Sequence, residues 1–297
     1  MNVTNQRKAY GLALLAVLFW STISSALKIT LRYMPFDVML FWTVLFAIFF
    51  LFLMNRFSKV PLRFSSLTQK DYLSSALMGL INPFLYYLIL FKAYDLLEAQ
   101  VAGALNYTWP IVLTLLSIPM LKQKLSWKSI GAIGISFVGI LFVSSQGESL
   151  LGKMVHPLGI ILAVGSAFFW ALYWILNMKD SREDTGKILL NLMFGFIYMV
   201  LYFIVSGRFP LWPGLQGGIG VVYIGLFEMS LTYVIWLKAL NSSENVAKVS
   251  NLIYLSPFLG LFWIRNTVGE AIHLTTIIGL TLIVLGIVLQ QFVKQQK

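Results

Sequence analysis

The chain has 297 residues, of which 59% are hydrophobic and 11% are charged, and its mean hydropathy is +0.82. So little polar surface cannot cover so much apolar surface in water, which excludes a soluble enzyme, a disordered chain and a fibrous protein. The net charge of +11 lies in short segments between apolar runs, where basic residues are typical of membrane topology signals rather than of nucleic-acid binding. The chain contains no cysteine, which excludes disulfides and cysteine-ligated metals.

Ten apolar stretches follow one another along the chain, and most are long enough to cross a bilayer. They fall at about 9–27, 36–54, 72–91, 99–120, 130–145, 158–176, 188–205, 218–237, 247–264 and 275–292. The first is too long for a signal-peptide core and is followed by no small-residue cleavage site, so we expect it to be retained as a helix. We therefore predict an all-α, polytopic membrane protein with ten transmembrane helices.

The two halves of the chain are similar in sequence. ALLAVLFW at Ala13 to Trp20 is echoed by AVGSAFFW at Ala163 to Trp170, and Tyr107-x-x-Pro110 is echoed by Tyr254-x-x-Pro257. We predict a first five-helix repeat over residues 1–148 and a second over residues 157–297. Because five is an odd number, the second repeat enters the membrane from the opposite face, and the two repeats are inverted.

The distribution of basic residues predicts the orientation. Sixteen of the 22 Lys and Arg residues lie on the side of the N-terminus, and such a bias in short loops marks the cytoplasmic side. We therefore expect both termini in the cytoplasm, together with residues 56–70 and 181–187, and residues 149–156 and 208–217 outside. The predicted location is the bacterial cytoplasmic (inner) membrane.

Prolines in the fourth and ninth spans, and the Gly269-Glu270 pair before a last helix with Gly279 and Gly286, resemble the drug/metabolite transporter superfamily. Two consecutive EamA-type repeats would cover nearly the whole chain. Within that superfamily, several short motifs resemble an aromatic amino-acid exporter. They are Trp20-Ser21-Thr22, Asn106-Tyr107-x-Trp109-Pro110, Gln123-Lys124 followed by Trp127, Trp170-Ala171-x-Tyr173 and Tyr254-x-x-Pro257.

This resemblance implies a secondary transporter that exports a small metabolite, such as an aromatic amino acid, by alternating access. It also implies that the first four helices of each half line a central cavity, and that the fifth and tenth helices are peripheral. The sequence departs from the exporter's pattern at Glu228, Lys248 and Asn251.

Glu228 is the only carboxylate near the middle of a predicted span. Because a charge at that depth costs several kcal/mol, an acid within a membrane span is by default a functional candidate. We consider it a proton-coupling residue or a counter-ion for a substrate ammonium, the alternative being a protonated side chain that only bridges helices. The matching position of the first repeat, 146 residues earlier, is Asn82.

The other candidate substrate-binding residues are polar amides beside predicted kinks at Pro83, Pro110 and Pro257, and aromatic rings within spans. A planar ligand stacks on such rings, and a cationic ligand binds to their faces. The complete predicted set is Trp20, Asn82, Tyr86, Asn106, Tyr107, Trp109, Trp170, Tyr173, Trp174, Glu228, Asn251 and Tyr254.

Two other functions remain open from the sequence. One is efflux of organic cations or nucleoside-like solutes, with Glu228 as counter-ion or proton carrier. The other is a non-transport, lipid-handling or structural membrane subunit.

We expect no catalysis, no cofactor and no metal, since His156 and His273 lie in loops and no catalytic constellation is visible. The expected partners are a small-molecule substrate, protons and the lipid bilayer, with no nucleic acid. The chain would be a monomer or a homodimer formed through the fifth and tenth helices, where Ala132, Ser136 and Gly139, and Gly279 and Gly286, permit close packing.

Overall fold

The computed structural model describes residues 5–57, 61–62, 64–121, 126–148 and 156–292. Within these ranges the chain is helical and contains no strand, which confirms the all-α prediction. The helices are α1 (Gln6–Thr30), α2 (Phe36–Arg56), α3 (Gln69–Gly79), α4 (Tyr86–Leu96), α5 (Ala99–Asn106), α6 (Trp109–Leu121), α7 (Trp127–Ser144), α8 (Pro157–Met178), α9 (Asp184–Ser206), α10 (Gly214–Phe227), α11 (Leu231–Asn241), α12 (Val246–Ser250), α13 (Ser256–Trp263) and α14 (Leu274–Phe292).

Polar side chains at the loop boundaries define where the helices begin. Asn5 accepts a hydrogen bond from the Lys8 amide at the start of α1, at 3.0 Å. At the start of α3, Thr68 and Asp71 bond reciprocally to each other's amides, which satisfies two donors that the helix leaves unpaired. Such caps place the ends of the apolar stretches within a few residues of the predicted limits.

Seven helical spans in the described part of the chain are long and apolar enough to cross a membrane, and the shorter apolar segment Leu274–Gln290 follows them. Two of the seven, Gln69–Leu96 and Gly214–Asn241, combine α3 with α4 and α10 with α11. The chain is therefore a multi-pass membrane protein. The stretches predicted at 99–120 and 247–264 are each divided, the first at Tyr107 and Thr108 and the second by a 3₁₀ segment over Asn251–Leu255. Neither forms one continuous helix of spanning length, so the number of ten transmembrane helices stays a prediction.

The helices pack in a reciprocal pattern. In the first half α1 packs on α11 and α13, and in the second half α8 packs on α4 and α6. Likewise α2 packs on α10, and α9 packs on α3. The two patterns match, because α1 and α8 take the same place in their halves, and so do α11 and α4, and α13 and α6.

The α7 and α14 helices pack closely against each other through their small residues. The Ser136 hydroxyl donates to the Ile283 carbonyl at 3.2 Å. A Cβ atom on Gly139 would come within 2.9 Å of Ile283, and one on Gly279 within 2.7 Å of Val143. The small residues that sequence analysis offered for helix or protomer packing are therefore used in contacts within the chain.

Candidate functional site

Two helices are broken near the middle of the bundle, at corresponding points of the two halves. Between α3 and α4, Asn82 leaves the helical conformation with φ −146° and ψ 117°. The following Pro83 lacks a backbone donor and cannot continue the helix, as predicted. Between α10 and α11 the chain turns at Glu228 to Ser230, where Ser230 has φ −130° and ψ −84°. These breaks interrupt the regular backbone beside the one carboxyl group predicted at mid-span.

Glu228 is half-buried and is held by a residue that sequence analysis did not select. The Tyr87 hydroxyl donates a hydrogen bond to the Glu228 carboxylate at 2.9 Å. Tyr87 is only 1% exposed, and its ring lies 4.5 Å from that of Tyr86. The bond joins α4 to the end of α10, so it links the two halves of the chain at the level of both breaks.

Six rings from α1, α4, α8 and α11 form a group that adjoins this bond through the contact of Tyr86 with Tyr87, and we call them the aromatic cluster. Tyr86 stacks on Trp170 with ring centres 4.7 Å apart and an interplanar angle of 29°. Trp170 also contacts Tyr173, at 6.2 Å. The cluster consists of Trp20, Tyr86, Trp170, Tyr173, Trp174 and Tyr233.

The geometry within the cluster includes parallel as well as edge contacts. Trp174 and Tyr233 are 6.5 Å apart and nearly parallel, at 20°. Trp20 meets Tyr233 edge-on at 5.9 Å. A flat ligand can stack on the face of one of these rings in the way a second ring does, and a cation can lie against a ring face.

Asn106, at the end of α5, connects the cluster to α8. Its oxygen accepts a hydrogen bond from Tyr86 at 3.2 Å, and its amide nitrogen donates to Ser166 at 3.0 Å. Both bonds cross between helices, and the amide therefore fixes the position of the Tyr86 ring.

Besides Asn82, Asn106 and Glu228, four predicted site residues are not part of the aromatic cluster. Tyr107 lines a small cavity between α1, α5 and α13, which Trp20 of the cluster also lines. Trp109 has no ring partner among the described residues. Asn251 is exposed, and Tyr254 is half-buried in the 3₁₀ segment, where it packs on the main core.

Three residues at the centre were missed by sequence analysis, namely Tyr87, Tyr233 and Asn191. The internal repeat contains a signal for two of them, because the spacing of 146 residues that relates Asn82 to Glu228 also relates Tyr87 to Tyr233. Asn191 is the one amide side chain in α9, and its position beside the cluster depends on the packing of that helix.

The end of the bundle predicted to face outward is closed by contacts between the loop before α5 and the loop before α14. The Glu270 carboxylate accepts hydrogen bonds from the amides of Ala99 and Gln100 at 2.8 and 3.2 Å. Burial raises the pKa of Glu270, and these two amide bonds act in the opposite direction. Gln100 donates to the Ala271 carbonyl at 2.8 Å, and His273 pairs with Glu98 at 2.8 Å.

At the opposite end, Arg182 ties the loop before α9 to the start of α3. Its guanidinium bonds to the Asp180 carboxylate at 2.5 Å and to the Asp71 carbonyl at 3.2 Å. Burial alone would raise the pKa of Asp180, but the bonds from Arg182 outweigh it and the pKa is lowered. The residues 149–155 of the predicted outer segment 149–156, and Gln123 and Lys124 of the family motif, lie outside the described residues.

A bundle of apolar helices, broken at mid-depth around a carboxyl group and a set of rings, has the architecture of a polytopic membrane transporter. The chain belongs to the EamA-like transporter family, which it matches over residues 7–145 and 157–290. This match confirms the family resemblance seen in the sequence. The protein is therefore a transporter.

Several bacterial proteins are similar over most of their length. The chain is 26% identical over 289 residues to an uncharacterized transporter of Clostridium kluyveri, covering 94% of this chain and 92% of that protein. It is 26% identical over 221 residues to the uncharacterized transporter YvbV of Bacillus subtilis, covering 73% of this chain and 70% of that protein. It is 24% identical over 261 residues to the inner membrane protein YtfF of Escherichia coli, covering 79% and 80% respectively.

A solved crystal structure has the same fold, with a TM-score of 0.67, 19% identity and coverage of 96% of both chains. At that identity the likeness concerns the fold alone. The names of the three relatives state no substrate, so the more specific resemblance to an aromatic amino-acid exporter stays a prediction.

Proposed function

We propose that this transporter exports a small amphipathic metabolite with a planar side chain, such as an aromatic amino acid. The observation that supports this most directly is the aromatic cluster, which contains parallel ring pairs such as Tyr86 with Trp170 and is linked to the Glu228 carboxyl group through Tyr87, the ring neighbour of Tyr86. A planar substrate that enters between two such rings exchanges their mutual contact for one stacking contact on each of its own faces, and each contact contributes about 0.5–1.5 kcal/mol beyond burial. The cluster therefore suits flat side chains better than aliphatic ones.

The proposed mechanism is alternating access between two inverted five-helix repeats, residues 1–148 and 157–297. The reciprocal packing of α1 on α11 and of α8 on α4 supports this arrangement, because a two-fold axis in the membrane plane exchanges such pairs. The two helix breaks, at Asn82 and at Glu228, face each other across the same axis in this proposal. Rocking of the two halves about the breaks would expose the cluster to each side in turn.

In this mechanism Glu228 carries the coupling proton. Glu228 is the carboxyl group at the level of both helix breaks, where the Tyr87 hydroxyl donates a hydrogen bond to it, so gain or loss of its proton changes a bond between the two halves. The protein is proposed to act in a bacterial cytoplasmic membrane, with both termini on the cytoplasmic side, as a monomer or homodimer.

A second substrate class is favoured by the same cluster. Ring faces beside a carboxylate form the kind of cage that holds an organic cation, with Glu228 as the counter-ion. Efflux of organic cations or nucleoside-like solutes is therefore the alternative proposal.

Transport assays with proteoliposomes distinguish these proposals. Counterflow is measured against a panel of aromatic and aliphatic amino acids, quaternary amines and nucleosides. We expect accumulation of aromatic amino acids, whereas accumulation of quaternary amines alone would support the cation alternative. No accumulation of any solute would contradict both substrate classes.

The Glu228→Gln variant then separates the roles of the carboxyl group. If Glu228 carries the proton, the variant loses accumulation driven by a pH gradient but keeps equilibrium exchange. If Glu228 is a counter-ion, binding of the cationic substrate in exchange weakens as well. Glu148→Gln, at an exposed acid, is the matched control and should behave as the parent protein. Normal pH-driven accumulation by a folded Glu228→Gln protein would end the coupling proposal.

A further inference from the structure

A small cavity lies next to the aromatic cluster, between the α3–α4 break and α8, α9 and α11. Its polar lining consists of Asn82, Asn191 and the tyrosines Tyr87, Tyr173 and Tyr233. It is distinct from the cavity that Tyr107 lines, since the two share no lining residue.

Two amide oxygens in this cavity have no partner. Asn82 and Asn191 are only 6% and 1% exposed, and neither Oδ1 atom accepts a hydrogen bond within the described part of the chain. A buried acceptor that is left unpaired has lost its hydrogen bond to water without replacement, and buried polar atoms are nearly always satisfied by protein, water or a bound ligand. The two oxygens therefore call for an occupant that is positive or donates hydrogen bonds.

The surroundings of the cavity favour a positive charge. Its lining contains no Lys, Arg or His, and Tyr87 links it to the Glu228 carboxylate through one hydrogen bond of 2.9 Å. Lys187, at the start of α9, directly precedes the lining residue Ile188. Its ammonium group is already bound to the Asp184 carboxylate at 2.8 Å and to the Asp180 carbonyl at 3.1 Å. An anion would thus find no counter-charge here.

The ligand set also limits the charge of the occupant. Ca²⁺ and Mg²⁺ are held in proteins by carboxylates together with neutral oxygens, whereas all the oxygens that line this cavity are uncharged amides and hydroxyls. A monovalent cation requires less compensation in a low-dielectric site. Amide and hydroxyl oxygens suit hard monovalent cations and protonated amines alike.

We propose that this cavity is a monovalent-cation site, in which the side-chain oxygens of Asn82 and Asn191 hold either dissolved Na⁺ or the primary ammonium group of a substrate. The site goes beyond the proposed role of Glu228, because it needs no titration of that residue. A cation bound there connects Asn82, at the α3–α4 break of the first half, to α9 of the second half, so its occupancy couples to their relative position.

Thermal unfolding of the full-length protein in detergent tests the site without any transport assay. Melting temperatures are compared in NaCl, KCl, methylammonium chloride and choline chloride at equal ionic strength. A site that is saturated by the bound ion should raise the melting temperature by about 2–4 °C over choline. A rise in NaCl identifies an alkali-ion site, and a rise only in methylammonium identifies a subsite for a substrate amine. Equal melting temperatures in all four salts would mean that water alone fills the cavity and would overturn the proposal.

Asn191→Leu keeps the size of the side chain but removes the oxygen, and it should abolish the ion-specific shift. Asn177→Leu is the matched control, because Asn177 is also buried with an unpartnered Oδ1 but does not line the cavity; it should keep the shift. Asn191→Asp supplies a second measurement if the Leu variant fails to fold, since the added charge should lower the ion concentration of the half-maximal shift at least tenfold. A shift that persists in folded Asn191→Leu, or an unchanged midpoint in Asn191→Asp, would refute the assignment.

Discussion

The hydroxyl group of Tyr87 donates a hydrogen bond to Glu228 at 2.9 Å, and this bond joins the first half of the chain to the second at the level of both helix breaks. Tyr87 follows one break by a single turn, and Glu228 begins the other. The carboxyl group is therefore tied to the half of the bundle to which it does not belong. A change in the hydrogen bonding of Glu228 therefore alters a contact between the two halves.

Tyr87→Phe removes this bond and keeps the ring, and we expect it to lower pH-driven transport while reducing stability. A hydrogen bond to a charged acceptor contributes about 1.5–3 kcal/mol. Tyr94→Phe is the matched control. Tyr94 lies two turns further along α4, on the same face as Tyr87, and its hydroxyl bonds to a neutral partner, Ser24, at 2.7 Å. The Tyr94 variant should lose only about 0.5–1.5 kcal/mol and keep its transport. Chemical unfolding and proteoliposome uptake measure the two effects, and equal behaviour of the variants would contradict a special role for the Tyr87 bond.

The position of Trp170 at the centre of the aromatic cluster predicts that it contributes more to selectivity than Trp109. Trp170 contacts four rings of the cluster. Since a stacked pair contributes about 0.5–1.5 kcal/mol, Trp170→Ala should weaken substrate affinity about 2- to 10-fold, and Trp170→Phe by less. Trp109→Ala should have a smaller effect. Substrate affinity from competition in exchange assays is the measurement, and normal affinity of Trp170→Ala would make the cluster a packing core only.

The orientation proposed for the chain can be tested with single cysteines, because the sequence has none of its own. Ser65 and Phe209 are both exposed and lie in loops predicted on opposite sides. In spheroplasts, a membrane-impermeant maleimide should label Phe209→Cys but not Ser65→Cys. Lysis of the cells should make both positions reactive, which controls for accessibility. Labelling of Ser65→Cys alone in intact spheroplasts would reverse the topology.

The Arg182 contacts predict a pH dependence of stability at the loop before α9. Because the pKa of Asp180 is lowered in the folded state, its ion pair stabilises the protein above the unfolded pKa, about 4. That contribution is lost as the pH falls through the folded pKa. Asp180→Asn should therefore cost about 1–2 kcal/mol near neutral pH and progressively less below pH about 4. Unfolding measured against pH checks this, and a constant difference between the two proteins would disprove it.

Two glycines on α7 provide a paired test of the α7–α14 contact. A Cβ atom on Gly139 would lie within 2.9 Å of Ile283, whereas one on Gly134 would meet nothing within 4 Å. Gly139→Ala should therefore destabilise the protein by about 1–3 kcal/mol through overpacking. Gly134→Ala should be neutral or mildly stabilising, since alanine favours the helix. Melting temperatures in detergent decide the matter, and equal values would show that the helices separate easily.

The sequence by itself determined the class of this protein and the position of its central acid. An apolar content of 59% with 11% charged residues forces the chain into a membrane. Pro83 and the polar residues Asn82 and Glu228 stand out in their spans, because a break or a charge is costly in lipid wherever it occurs. These signals depend on the depth of a residue along one helix, and depth can be read from residue numbers.

Only the tertiary structure decided which side chains meet at that depth. From the sequence alone, Trp109 is grouped with Trp170, Tyr86 is selected rather than its neighbour Tyr87, and Asn191 is not selected. The physical reason is that a membrane helix is apolar on its lipid-facing side as well as on its buried side, so hydrophobic periodicity does not show which side faces the bundle. The contacts of Tyr87 and Asn191 follow instead from how α4, α9 and α11 are rotated and packed, which depends on all the helices together.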